Sequence, residues 1–136
     1  MPRRFTHRIR VRYGECDPQG IVFNAHYIAY FDIALTELWR EAVPGGYAQM
    51  TAEGADMVVA EVRAIYRAPA RFDDEIDLEV RLTRLGTTGM ATEILVRRDG
   101  DVLVEGQMRH VFVDLGTHEK TAIPAAVRRS LEPYVS

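Results

Sequence analysis

The chain has 136 residues, with seventeen Lys and Arg against twenty Asp and Glu and a formal net charge of −3. That length fits one domain better than two, and area scaling predicts burial of about two-thirds of the unfolded surface, enough for a core without covalent staples. The single cysteine, Cys16, excludes an intramolecular disulfide framework and a multi-thiolate zinc site, and a mildly acidic chain with no basic block longer than Arg3-Arg4 argues against nucleic acid as a partner. The 47% apolar content never gathers into an 18-residue run, and Met1 to Arg8 carries no apolar stretch. A cytoplasmic protein that neither crosses nor enters a membrane is expected, one domain over 1–136.

In chain order, Arg8 to Tyr13 reads as a first strand, and a loop rich in functional groups follows it. A helix is predicted from Asn24 to Ala42, because Tyr27, Ile28, Phe31, Ala34, Leu35, Leu38, Trp39 and Ala42 recur at three- and four-residue spacing. Asn24 is its expected N-cap, and Pro44-Gly45-Gly46 stops it. Met57 to Arg67 alternates as a strand with Val58, Ala60, Val62, Ala64 and Tyr66 on one face. Glu75 to Leu82 alternates most cleanly, with Ile76, Leu78, Val80 and Leu82 facing one way. Met90 to Arg97 is next, then a tight turn at Asp99-Gly100 and a long strand from Val102 to Asp114. Pro124 opens a short helix reaching Leu131. The economical solution is an α+β fold, an antiparallel five-stranded curved sheet wrapped around one long helix. Such a sheet has open edges, which pairing with a second copy would cover.

Chemistry concentrates between Tyr13 and Tyr27. Pro18 and Gly20 impose a sharp turn that holds Asp17 in place, and Ile21, Val22 and Phe23 can exclude water. The helix start offers free backbone N–H groups and about half a positive charge. A carboxylate beside such donors suits attack on a carbonyl, by itself or through water. Cys16, flanked by Glu15 and Asp17, is a poor nucleophile because acidic neighbours raise its pKa. His26 in the first helical turn is disfavoured as a cation, and His7, His110 and His118 lack metal-ligand spacing, so no metal and no cofactor is expected.

The stretch Asp17-Pro18-Gln19-Gly20-Ile21-Val22-Phe23, with Tyr27 after it, resembles the active-site loop of hotdog-fold acyl-CoA thioesterases of the 4-hydroxybenzoyl-CoA thioesterase-like branch. The resemblance implies the hotdog fold and hydrolysis of an acyl-CoA with an aryl or short-to-medium acyl group. It makes Asp17 the catalytic carboxylate, as nucleophile or general base, and the Asn24 amide the donor that polarises the thioester carbonyl. Gly20, Ile21, Val22, Phe23 and Tyr27 would contact substrate, and Asp32 would accept a hydrogen bond from a substrate phenol. A homodimer or homotetramer with sites at subunit interfaces is also implied. In some family members the turn corresponding to Arg84–Gly89 holds a basic cluster for the nucleotide phosphates; here it carries Arg84 alone, with Arg63, Arg67, Arg128 and Arg129 as other candidates. Chains carried on an acyl-carrier protein, or acyl binding without turnover, are the alternative readings. The Asp-x-Asn-x-x-His pattern of hotdog dehydratases is missing.

Overall fold

The computed structural model describes residues 1–136. Five strands, β1 (Phe5–Arg10), β2 (Ala55–Tyr66), β3 (Glu75–Leu85), β4 (Gly89–Arg98) and β5 (Asp101–Asp114), form one antiparallel sheet in the order β1-β3-β4-β5-β2. The long helix α1 (His26–Ala42) lies in the curl of that sheet, followed directly by a short helix α2 (Gly46–Ala52). A third helix, α3, spans Ala125–Leu131, with Pro124 as its N-cap residue. The expected hotdog arrangement is the one observed.

The central strands behave as their alternation predicts. Ile76, Leu78, Val80 and Leu82 of β3 and Met90, Thr92, Ile94 and Val96 of β4 are all buried. Asp99 (φ 51°) and Gly100 (φ 87°) join β4 to β5 in the left-handed conformation that a two-residue hairpin requires. The helix sits against β5 at Gly106, where an added Cβ would come within 2.4 Å of the Phe31 ring. No larger residue fits there without moving α1.

Four expectations need correction. The first strand is Phe5–Arg10 rather than Arg8 to Tyr13, because it ends where its partner begins (Arg10 opposite Glu75), and Tyr13–Glu15 coils into a 3₁₀ turn. In β2 the register shifts between Val59 and Glu61, so the alternation read through Ala60 is out of phase. Met57 and Val59 pair with the buried Phe112 and His110, and beyond the bulge Val62 pairs with Met108, so these residues share the helix-facing side while Val58 points away. Asn24 is not the helix cap: Ala25 takes that position with φ −67° and ψ −20°, and no side chain caps α1. Finally, the one long helix is followed by a second: Pro44-Gly45-Gly46 stops α1 as expected, and Gly45, at a left-handed φ of 78°, then starts α2.

Candidate active site

The loop between β1 and α1 is a small hairpin. Cys16 bridges Val22, the Asp17 N–H donates to the Ile21 carbonyl at 2.9 Å, and the Gly20 N–H donates to the Asp17 carbonyl at 2.9 Å. Pro18 and Gln19 form the turn, and Gly20 follows at φ 79°, the left-handed position that glycine adopts without strain. The Gln19 N–H donates to Asp17 Oδ1 at 2.8 Å, which fixes the carboxylate over the turn. The hairpin in turn rests on the segment before β3, through the Val22 N–H to the Ala70 carbonyl at 2.9 Å and a bridge from Ile21 to Arg71.

α1 begins tightly wound. The N–H groups of His26, Tyr27 and Ile28 reach carbonyls three residues back, those of Phe23, Asn24 and Ala25. The Asn24 and Ala25 N–H groups have no acceptor in the protein, and the Asn24 carbonyl takes the Tyr66 hydroxyl at 3.0 Å. Asp17, Ile21, Val22, Asn24 and Tyr27 line one cleft of about 440 Å³, together with Tyr66 and the chain leaving β2 through Arg67, Ala68 and Pro69. A half-buried carboxylate, the residue bearing one unpaired amide (Asn24) and an apolar wall therefore share one cavity. Tyr27 is buried, its ring 5.6 Å from that of Tyr66, and its hydroxyl accepts from the Ala70 N–H at 3.0 Å; burial raises its pKa.

Gly20 shapes the turn without lining the cleft, and Phe23 is half exposed beside it. Asp32 is exposed on α1, eight residues past Asn24 and so about 12 Å along the axis. It lies instead near Tyr47, whose pKa burial and then the Asp32 charge raise, and near the buried His110, whose pKa burial lowers against the opposing Asp32 charge. Cys16 donates weakly to the Arg12 carbonyl at 3.8 Å, and burial, with the charges of Glu15 and Asp17, pushes its thiol pKa up, as expected of a packing residue. His26 turns toward Glu15, its Nε2 lying 3.5 Å from the carboxylate.

Tyr66 and Arg67 carry no local signal of membership; they come from a strand end some forty residues away, and Arg67 is paired there with Glu105 at 2.8 Å. Around the β3–β4 turn, Arg84 is joined by Arg109 and Lys120 in a separate depression of about 290 Å³. Arg128 is engaged with the Gly86 carbonyl.

Residues 11–131 match the model of the thioesterase-like superfamily. The acyl-CoA thioester hydrolase YbgC of Escherichia coli O6:H1 is 32% identical over 124 residues, covering 90% of this chain and 92% of that protein. The long-chain acyl-CoA thioesterase FadM of Escherichia coli K12 is 26% identical over 130 residues, covering 94% and 97%. A crystal structure of a hypothetical protein from Aquifex aeolicus superposes with a TM-score of 0.89 at 26% identity, covering 94% of this chain and 99% of that one. The chain belongs to the thioesterase-like superfamily. The enzyme class expected from the loop, a thioester hydrolase, is the class of these named relatives.

Proposed function

We propose that this single-domain protein hydrolyses acyl-CoA thioesters at the cleft between the Asp17 hairpin and the start of α1. The observation that carries the reading is the shared cavity of Asp17, held by the Gln19 N–H, and Asn24, whose N–H has no protein acceptor. In this reading the thioester oxygen sits against the Asn24 amide, worth about 3–4 kcal/mol of barrier lowering for one such donor. Asp17 either attacks the carbonyl carbon, breaking the C–S bond to release the thiolate and leave a mixed anhydride that water hydrolyses, or takes the proton of a water whose attack expels the thiolate. Ile21, Val22 and Tyr27 keep bulk water from one side. The patch of Arg84, Arg109 and Lys120 matches the charge of nucleotide phosphates. The test is thiol release from a panel of aryl- and alkanoyl-CoAs. Asp17→Asn should fold as the parent and lose about 10²–10⁴-fold in kcat; parental turnover by that variant overturns the assignment. Lys120→Glu should raise KM for acyl-CoA and leave acyl-pantetheine unaffected.

The site is completed, in the same reading, by a second copy of the chain. The two sheet edges differ: β1 is short and carries Arg8 and Arg10 paired with Glu75 and Asp77, whereas β2 is twelve residues long with Val58, Val59, Ile65 and Tyr66 each about half exposed. A long apolar edge is the one that pairs. Sedimentation should find a dimer or tetramer, and Val58→Lys with Ile65→Lys should shift it to monomer.

A further inference from the structure

Glu15 has no part in the chemistry proposed above, yet it is the most heavily engaged carboxylate near the cleft. Its side chain is 16% exposed. Oε1 accepts the Arg12 N–H at 2.8 Å and the Tyr30 hydroxyl at 2.8 Å, and Oε2 faces His26 Nε2 at 3.5 Å. Its backbone carbonyl accepts the Phe23 N–H at 3.0 Å. One residue thus joins the entry of the loop, the far leg of the hairpin and two successive turns of α1. Tyr30 is fully buried, and Glu15 is its hydrogen-bond partner; burial, with the Glu15 carboxylate, holds that phenol protonated as a permanent donor. The His26 ring packs edge-on against Tyr30 at 5.1 Å, closing the group.

This clamp matters because α1 has no side-chain cap. The terminus is tied to the end of β2 through Tyr66 and to Ala70 through Tyr27, and Glu15 is the side chain that ties it to the start of the hairpin. Asp17 is two residues beyond Glu15 on one leg, and Asn24 is one residue beyond Phe23 on the other. We propose that Glu15 is a positioning residue that sets the separation of Asp17 from the Asn24 amide by tying the hairpin to Tyr30 and His26. The proposal rests on the reading of Asp17 as the reacting carboxylate. What Glu15 supplies is acceptor geometry, so a neutral acceptor of the same shape serves: Gln keeps the oxygen for Arg12 and Tyr30 and turns its NH₂ toward His26.

Steady-state kinetics on the acyl-CoA that the parent hydrolyses fastest provide the test. Glu15→Ala should lower kcat by about 10–100-fold with KM within about threefold, the loss expected of a misplacement near 1 Å. Glu15→Gln should keep at least about a third of parental kcat. In the Asp17→Asn background, Glu15→Ala should cost nothing more, since there is no reacting carboxylate left to place. The proposal is overturned by Glu15→Ala at parental kcat, by Glu15→Gln falling as far as Glu15→Ala, or by the two losses multiplying. If Glu15→Ala does not fold, Tyr30→Phe takes its place, with kcat about 3–10-fold down alone and unchanged in the Asp17→Asn background; parental kcat there overturns the proposal equally. Asp17→Asn inert with Glu15→Ala fully active sinks the clamp alone, whereas Asp17→Asn active sinks the reading beneath it as well.

Discussion

At its start α1 meets its surroundings through polar ties. Glu15 holds Tyr30 and faces His26, Tyr27 accepts the Ala70 N–H, and the Asn24 carbonyl takes the Tyr66 hydroxyl. Further along, the same helix is held by aromatic surface: Trp39 is fully buried, stacked on Tyr47 at 5.0 Å and set against Phe112 at 6.4 Å, with its Nε1 unpartnered. Directional bonds fix a geometry, while apolar contact supplies free energy with little directional demand. The cleft lies at the directional end. Substitutions there should move rates with modest effect on folding, and those at the aromatic end should do the reverse.

The sharpest way to break this division is to compare Asp17→Asn with Trp39→Ala. The first should remove about 10²–10⁴-fold of kcat at nearly parental melting temperature. The second should cost about 3–5 kcal/mol of unfolding free energy, read by urea denaturation, while the folded fraction turns over at close to parental rate. A stable Trp39→Ala with reduced kcat would abolish the distinction. Between the two ends, Gly106→Ala drives a methyl into the Phe31 ring and should destabilise by about 1–3 kcal/mol; the companion change Phe31→Leu should recover part of that loss. The smallest effect concerns acid. His110 is buried, and burial lowers its pKa, with Asp32 opposing in part. The unfolded chain therefore takes up a proton near pH 6.5 that the fold resists, so stability falls as pH drops from about 6.5 toward the lower folded value. Thermal melts at pH 7.5 and 5.5 should show this slope, and His110→Leu should flatten it.

Much of this structure was legible in the residues. The alternation of β3, β4 and β5 is local and answers directly to one buried face, so those strands and the Asp99-Gly100 turn follow from the sequence. The face of β2 does not, because one extra residue at the bulge reverses the phase of what precedes it. α2 escapes notice because Gly46 to Ala52 is too short to build a periodic stripe and opens on a glycine. In the loop, Asp17 and Asn24 could be paired because a turn and a helix start are encoded within eight residues. Tyr66 and Arg67 could not, since only the strand order brings the end of β2 to that loop. Glu15 was visible only as an acidic neighbour of Cys16. Its partners Tyr30 and His26 lie on an element whose rotation about its own axis is decided by packing over the sheet.

Tyr66 has one further consequence. It ends the exposed edge strand and also holds the Asn24 carbonyl beside the unpaired amide. Whatever docks along β2 and shifts that ring shifts the amide as well, and a ligand that tightens the amide must shift the ring in return. Thermodynamic reciprocity then makes occupancy of the edge and occupancy of the cleft two readings of a single coupling free energy. If a second copy of the chain pairs along β2, as proposed above, substrate affinity should depend on protein concentration.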